Sequence, residues 1–315
     1  MEVDYPSDII EFSSQFSTEE ACFSYLNRIR WPKGFVCPHC LQNGGWWLEK
    51  HLRFECKACH RQTSPLSGTL LHRSHFPLRL WFWAAYFVST HTPGMSAVQL
   101  QRQLSIKKVD NAWYMLHRLR KGMVRQNREL LSGVVETDET HIGGPVKGKS
   151  GRGVRNVKNK TLIAGAVEVK TYNDKEGKEQ EKAGRLRLAV LENAGQKQIK
   201  DFLKTNVAKG SYVKSDGWKG YSSSALSDYK HIKRVQGDGA NAGKFAPHIH
   251  RAFGNLQTWL NGIHHGVDSK YLPNYLDEFV FRYNRRETPM ATFRSLLKII
   301  ATSSQPLGLK ALRKP

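Results

Sequence analysis

Three residues in the middle and late parts of the chain have the types and surroundings of a divalent-metal site. Asp138 lies in an apolar-led run that predicts a strand, and Asp216 closes a second short strand that Gly217 ends. His250 opens a stretch whose apolar residues recur at helical spacing: Phe253, Leu256, Leu260 and Ile263. Two carboxylates on strands and a third group on a helix can converge on one site. Paired cations there support in-line displacement at phosphorus, because they hold both the attacking and the leaving oxygen.

Two further acids flank Asp138. Because side chains alternate along a strand, Glu136 should share a face with Asp138 and Glu139 should point to the other face. Glu136 is therefore a candidate supplementary acid of the site. The alternative, which we favour from the sequence, is a solvated carboxylate on the strand.

Four of the five cysteines form two CxxC pairs, Cys37 with Cys40 and Cys56 with Cys59. Two such pairs separated by a predicted hairpin are typical of a tetrahedral zinc site, in which each pair offers two thiolates on a tight turn. Two disulfides are the alternative, and they fit poorly with a reducing compartment. The neighbouring His39 and His60 are unnecessary to a four-thiolate site. The fifth cysteine, Cys22, is expected to be a small buried hydrophobe.

The composition indicates the kind of partner. Lys and Arg number 49 against 27 Asp and Glu, which gives a formal net charge of +22. A basic excess of this size favours a polyanion, with DNA or RNA as the first candidate, and a merely soluble basic protein is the plainer alternative. The longest apolar run is too short to span a bilayer. The first residues lack the pattern of a signal peptide, so we expect a cytoplasmic protein.

The region between the cysteines and the acids is predicted to be helical. Pro77 to Val88 is apolar nearly all round and predicts a buried helix. Ser96 is a plausible N-cap for a short helix, and a second helix follows from Asp110. Basic residues decorate that second helix, among them Arg118 and Lys121. The pair suggests a helix-turn-helix that contacts DNA, although a packed helical hairpin with a solvated basic face would look similar.

From Gly133 onward the pattern changes to strands. Apolar runs predict strands at 134–140, 162–169, 186–191 and 212–215, with a helix at 196–207 before the last of them. Three strands, a helix, a strand and further helices match the order of a ribonuclease-H-like fold. The loop after the first strand is glycine-rich and basic, and its charge favours phosphate contact over a solvated loop; its candidate DNA-binding residues are Lys147, Lys149, Arg152 and Arg155.

Six sequence blocks together resemble the DDE-type transposases of bacterial insertion sequences that carry an N-terminal zinc ribbon. They are Trp31-Pro-Lys-Gly-Phe-Val-Cys-Pro-His-Cys40, Thr63-Ser-Pro-Leu-Ser-Gly-Thr69, Val135-Glu-Thr-Asp-Glu-Thr-His-Ile-Gly-Gly144, Ser215-Asp-Gly-Trp-Lys-Gly-Tyr221, His264-His-Gly-Val267 and Tyr275-Leu-Asp-Glu-Phe-Val-Phe-Arg-Tyr-Asn-Arg-Arg286. Any one block alone is weak evidence for the resemblance, but the order and spacing of all six blocks together are specific to this family. The resemblance implies cleavage and strand transfer at element ends, a ribonuclease-H-like catalytic core and Mg²⁺ as cofactor.

Carried over by residue, Asp138 and Asp216 match the first two acids of the family's triad and are the expected Mg²⁺ ligands. The third position is usually Glu, with a Lys two helical turns later; here that spacing falls on His250 and Gln257. Variants with His or Asn belong to the family's range. We favour His250, and Asn255, on a different helix face, is the rival. Imidazole suits Mn²⁺ better than Mg²⁺, so His250 could ligate weakly, act through a water or protonate a leaving oxygen.

The sequence therefore predicts an α+β multidomain protein, with a zinc ribbon and helix-turn-helix followed by a ribonuclease-H-like α/β catalytic core. We expect an N-terminal helix and zinc ribbon at 1–70, the helix-turn-helix-like region at 71–130, the catalytic domain at 131–300 and a basic tail at 301–315. The expected function is that of a transposase that binds terminal inverted repeats and joins DNA as an oligomer, at least a dimer, in the bacterial cytoplasm near the nucleoid. A catalytically inactive DNA-binding relative and a nuclease for structured DNA are the alternatives.

Overall fold

The computed structural model describes residues 5–124, 128–143, 160–233 and 245–303. The chain forms two compact units, one of Met1–Arg125 with Arg285–Pro315 and one of Gln126–Asn284. Its helices are α1 (Ile9–Gln15), α2 (Glu19–Arg30), α3 (Leu78–Thr90), α4 (Ala97–Gln103), α5 (Val109–Lys121), α6 (Gln196–Asn206), α7 (Pro247–His264), α8 (Leu272–Tyr283) and α9 (Pro289–Thr302). Its strands are β1 (Gly45–Leu48), β2 (Arg53–Cys56), β3 (Gln62–Thr63), β4 (Val134–Ile142), β5 (Thr161–Asn173), β6 (Glu179–Leu191), β7 (Tyr212–Ser215) and β8 (Lys230–Lys233).

The first unit is built around the apolar helix α3. Its aromatic core joins rings from four helices, with Phe12 5.4 Å from Phe293 and Phe16 4.9 Å from Phe82 between ring centroids. Helix α9 packs against α2 and α3 and so belongs to this unit, whereas the sequence led us to expect residues up to 300 in the catalytic domain. The reason is physical: α3 is apolar on nearly all sides, and α9 supplies an apolar face to cover it.

The cysteine pairs lie on a small antiparallel sheet of order β1-β2-β3 in the same unit. Trp47 pairs with Phe54 across the predicted hairpin. Phe54 also stacks on Phe35, with ring centroids 4.6 Å apart. Aromatic packing therefore provides the small apolar core of this sheet.

The second unit contains a five-stranded sheet of order β6-β5-β4-β7-β8. Strands β4, β5 and β6 pair antiparallel, and β4, β7 and β8 pair parallel. Strands β5 and β6 extend beyond the predicted apolar runs into a long polar hairpin. Strand β8 was not predicted, because Lys230-His-Ile-Lys233 has no apolar run.

Helices cover both faces of this sheet. Helix α6 packs on one face, where Ile199 and Leu203 join Val135 and Val213 in one core. Helices α7 and α8 pack on the other face, over Ile163, Val167 and Leu186. Burial on both sides explains the nearly continuous apolar runs of the central strands.

No helix in the described parts of the chain is both long enough and apolar enough to cross a membrane.

Candidate active site and metal centre

Asp138 lies on β4, and Asp216 directly follows the last residue of β7, the parallel neighbour of β4. Glu136 of β4 pairs with Lys214 of β7, and each Asp lies two residues further along its chain. Each carboxylate is fixed by a backbone N–H: Glu139 N donates to Asp138 Oδ1 at 2.8 Å, and Trp218 N donates to Asp216 Oδ1 at 2.9 Å. The second oxygen of each carboxylate has no part in these backbone bonds.

The surroundings of Asp138 on balance disfavour its charged form. Burial raises the pKa of Asp138, and the negative charge of Asp216 raises it further. The backbone bond from Glu139 and the neighbouring His250 act in the opposite direction. A cation between two such carboxylates would remove the repulsion, because opposite charge favours the ionised form.

His250 is the third predicted residue, and the structure places it against Asp138. The distance from His250 Nδ1 to Asp138 Oδ2 is 3.5 Å. Along the same helix and strand, Gln257 Nε2 lies 3.4 Å from Thr140 Oγ1. Helix α7 thus runs beside β4 with His250 and Gln257 on the side of the strand. Gln257 and Asn255 are both exposed to solvent.

A glycine permits the close approach of α7. Gly165 of β5 pairs with Asp138 across the sheet. A Cβ atom at this position would lie 2.7 Å from Ile249 Cδ1 and 2.7 Å from ring atoms of Phe253. Any larger residue would push the helix that carries His250 away from the strand that carries Asp138.

Glu136 has a role that the sequence did not indicate. Its side chain is fully buried, so the expectation of a solvated carboxylate is wrong. Glu136 Oε2 accepts hydrogen bonds from the backbone N–H groups of His248 and Ile249, at 2.8 and 3.0 Å. The carboxylate therefore binds the first turn of α7, whose end has no capping side chain of its own. Burial raises the pKa of Glu136, and these hydrogen bonds oppose that effect.

Glu139 points to the opposite face, as predicted from strand alternation. Its Oε1 accepts a 2.5 Å hydrogen bond from the hydroxyl group of Tyr221. The same hydroxyl oxygen lies 3.2 Å from Thr137 Oγ1. Burial raises the pKa of Glu139 to about 7, and the charges of Asp138 and Asp216 contribute in the same direction. Sequence reasoning missed Tyr221, although it ends the block that contains Asp216.

The four cysteines form a closed metal-binding cluster. Within the described ranges, they are the one group of three or more possible ligand residues whose ligand atoms all lie within 4.8 Å of one another. The Sγ–Sγ distances are 3.7 Å for Cys37–Cys59 and 3.5 Å for Cys40–Cys56. Tetrahedral zinc with Zn–S bonds of about 2.3 Å requires sulfur atoms about 3.8 Å apart, so the residues fit a structural zinc ion.

The predicted DNA-binding residues have different surroundings. Lys121 is exposed at the end of α5. Arg118 is buried, and its Nη2 donates to His72 O at 2.8 Å, so little of this side chain is accessible to a phosphate. The four residues of the basic loop lie outside the described residues: Lys147, Lys149, Arg152 and Arg155.

A mixed α/β unit with paired acids and a separate four-cysteine cluster matches two family models. The model described as an ISXO2-like transposase domain (IS1595 type) matches residues 130–284, and the transposase zinc-ribbon domain of the same type matches residues 17–62. Together the two matches cover more than half of the chain. The chain belongs to the IS1595-type insertion-sequence transposases with a zinc ribbon.

A curated relative is the uncharacterized protein in transposable element ISH50 of Halobacterium salinarum. It is 27% identical over 139 residues, which cover 42% of this chain and 45% of the relative. The chain thus matches less than half the length of that relative.

Two solved structures are similar at low sequence identity. One is the simian T-cell lymphotropic virus intasome in complex with PP2A regulatory subunit B56 gamma, at 12% identity, with 62% of this chain and 66% of that chain covered and a TM-score of 0.29. The other is a pre-cleavage Mos1 transpososome, at 11% identity, with 69% of this chain and 77% of that chain covered and a TM-score of 0.28. At TM-scores this low, neither likeness indicates a shared fold.

Proposed function

We propose that this transposase cleaves DNA at the ends of its insertion sequence and joins the freed ends to target DNA, at a site formed by Asp138, Asp216 and His250. One observation carries the proposal. Asp138 lies on β4, Asp216 follows the end of the adjacent parallel strand β7, and His250 lies 3.5 Å from Asp138. Two carboxylates on neighbouring parts of one sheet, with a polar group beside one of them, fit the chemistry of in-line displacement at a phosphodiester.

The sheet topology supports a ribonuclease-H-like core. Three antiparallel strands are followed by α6 and by a parallel strand on the opposite side of β4. Strand β4 is therefore central, and its neighbour β7 leads directly to Asp216. We infer a catalytic core bounded near residues 131 and 284, because α9 packs with the other unit.

The donor set fits Mg²⁺. Asp138 and Asp216 each have one oxygen that the described backbone bonds leave free, and Mg²⁺ prefers such oxygen ligands. When bound, the cation supplies charge stabilisation to the attacking and leaving oxygens. His250 lies where it can orient the Asp138 carboxylate or give a proton to a leaving oxygen. Its imidazole would accept Mn²⁺ more readily than Mg²⁺.

DNA recognition is assigned to the first unit. The zinc ribbon and the α4–α5 pair, taken as a helix-turn-helix, would bind the terminal inverted repeats. Ser96 Oγ caps α4 by accepting from Gln99 N at 3.2 Å, so this helix begins at a defined residue. Exposed Lys121 and the basic loop would contact phosphates. Joining two ends in one event requires at least a dimer.

A second candidate is a DNA-binding protein without catalysis. Gln257 stands where the family usually has Lys, and its Nε2 lies 3.4 Å from Thr140 Oγ1. The third position is also not acidic. The Gln in place of Lys and the non-acidic third residue would both weaken cleavage. Neither change would affect binding to the element ends.

The deciding experiment uses purified full-length protein and a DNA fragment that carries the inverted repeats flanking the gene. With Mg²⁺ or Mn²⁺, we expect nicks at the repeat ends and strand-transfer products on a target plasmid. Asp138→Asn is the control, with end-binding measured in parallel. If folded, zinc-loaded wild-type protein binds the ends and never cuts them with either metal, the catalytic proposal fails and the second candidate replaces it.

A further inference from the structure

One aromatic side chain beside the proposed site is both exposed and held in place. Trp218 follows Asp216 by two residues, and 51% of its surface is exposed to solvent. Tryptophan is highly buried on average in folded proteins, although single exposed apolar residues are common. Neither the fold nor the proposed metal site accounts for an exposed indole here.

One hydrogen bond holds the indole ring itself, and a second holds the backbone of Trp218. Trp218 Nε1 donates to Ala194 O at 2.9 Å, which ties the ring to the segment before α6. The backbone N–H of Trp218 donates to Asp216 Oδ1 at 2.9 Å. Gly220 provides the space, since a Cβ atom there would lie 2.9 Å from Trp218 Cδ1. The ring is thus a pre-organised surface whose position is coupled directly to Asp216.

We propose that Trp218 is a stacking site for an unpaired nucleobase next to the phosphodiester that the site attacks. This inference rests on the proposed function. Stacking on an aromatic ring accepts any base, because every base has a π-face, and it offsets the cost of removing that base from the duplex. The neighbouring Lys219 is exposed and the whole chain carries +22, so the surroundings favour a nucleic-acid strand over an acidic or apolar protein partner.

Photo-crosslinking tests the contact without cleavage. The probe is a short duplex with a single-stranded overhang that contains 5-iodouracil, incubated with full-length protein in the presence of Ca²⁺ and then irradiated. Mass spectrometry should place the crosslink on the peptide that contains Trp218. Trp218→Phe should retain it, because the ring face remains, and Trp218→Ala should lose it. Tyr172→Ala is the matched control, since Tyr172 is a 45% exposed aromatic residue of the same unit.

The cleavage rates of these variants should rank in the same order as their crosslinking. With element-end DNA, Trp218→Ala should cut roughly 5- to 100-fold more slowly than wild type, and Trp218→Phe and Tyr172→Ala should remain close to wild type. A crosslink at Trp218 in a protein that never cleaves DNA would confirm the stacking contact alone and overturn the proposed function. A crosslink elsewhere, or normal cleavage by folded Trp218→Ala, would overturn the inference and leave the proposed function standing.

Discussion

The buried carboxylate of Glu136 accepts a 2.8 Å hydrogen bond from the backbone N–H of His248. Glu136 lies two residues before Asp138 on β4, and His248 lies two residues before His250 on α7. Together with the bond from Ile249 N, this buried hydrogen bond sets the register between the strand and the helix that carry the proposed catalytic pair.

Removal of the Glu136 carboxylate should disturb both folding and the site. Glu136→Ala leaves two buried N–H groups without their acceptor, so we expect a loss of about 1–3 kcal/mol in the free energy of unfolding. The first turn of α7 should move when it loses this acceptor, and His250 should move with it. The cleavage rate of bound ends should therefore fall by more than the affinity for the ends does. Glu136→Gln retains an acceptor oxygen and should be milder in both respects. Denaturant unfolding and single-turnover cleavage measure the two effects; wild-type cleavage by Glu136→Ala would show that this hydrogen bond only stabilises the fold.

The zinc cluster gives a second prediction. Thiolates bind zinc, and a ribbon with so small a core should fold only with its metal. Metal analysis should find about one zinc per chain. Cys37→Ser should lose zinc and end-binding while the second unit stays folded. Cys22→Ala is the control, because this buried cysteine lies apart from the cluster and should leave zinc content unchanged. Full zinc content in Cys37→Ser would refute the assignment.

The basic loop should contribute charge rather than sequence reading. Replacement of Lys147, Lys149, Arg152 and Arg155 with Ala should flatten the dependence of log K on log salt by about 0.9 for each phosphate that the variant no longer neutralises. Discrimination between repeat and random DNA should persist, since binding to phosphates carries little sequence information. Fluorescence anisotropy at several salt concentrations measures both quantities. An unchanged slope together with a loss of discrimination would instead assign sequence reading to this loop.

A buried ion pair should make the second unit sensitive to acid. Burial raises the pKa of Glu168, but hydrogen bonds from Arg185 and from Ser132 N outweigh it and hold the pKa below its ordinary value. The distance from Arg185 Nη2 to Glu168 Oε1 is 2.6 Å. Because the pKa of Glu168 is lower in the folded protein than in the unfolded chain, its ionised form stabilises the fold. This contribution is fully present at pH values above the pKa of the unfolded chain, and it is lost as the pH falls through the pKa of the folded protein.

Glu168→Gln should therefore lower the free energy of unfolding by about 1–3 kcal/mol at neutral pH. The difference from wild type should shrink as the pH falls below the ordinary pKa of a Glu carboxyl group, because the unfolded chain then binds a proton that the folded carboxylate still excludes. The difference should be gone once the pH has passed below the pKa of the folded state. Urea unfolding at a series of pH values measures this. A difference that stays constant down to the acid limit would mean that the charge of Glu168 contributes nothing.

Local patterns allowed much of this arrangement to be predicted. The apolar runs before Asp138 and Asp216 place Asp138 on β4 and Asp216 directly after β7, and the helical spacing after His250 places it on α7. The cysteine pairs likewise predict their own cluster, because the ligands lie in two short turns. These features depend on residues close in sequence.

Other features of the fold could not be predicted, because they depend on contacts between residues that are far apart in the sequence. Glu136 is buried only because α7 docks on β4, and that docking needs Gly165 on a third strand. Helix α9 covers α3 although most of the chain separates them. Strand β8 is polar, and its pairing with β7 alone defines it.

The most direct test of the proposed site is the cleavage rate of element-end DNA by four variants: Asp138→Asn, Asp216→Asn, His250→Ala and Asn255→Ala. We expect both Asp variants to lose cleavage by orders of magnitude while end-binding persists, because each removes a negative ligand. His250→Ala should also lose most cleavage, and exposed Asn255→Ala should cut nearly as well as wild type. Normal cleavage by Asp138→Asn or Asp216→Asn would contradict the proposed site, and normal cleavage by His250→Ala with loss in Asn255→Ala would move its third residue to Asn255.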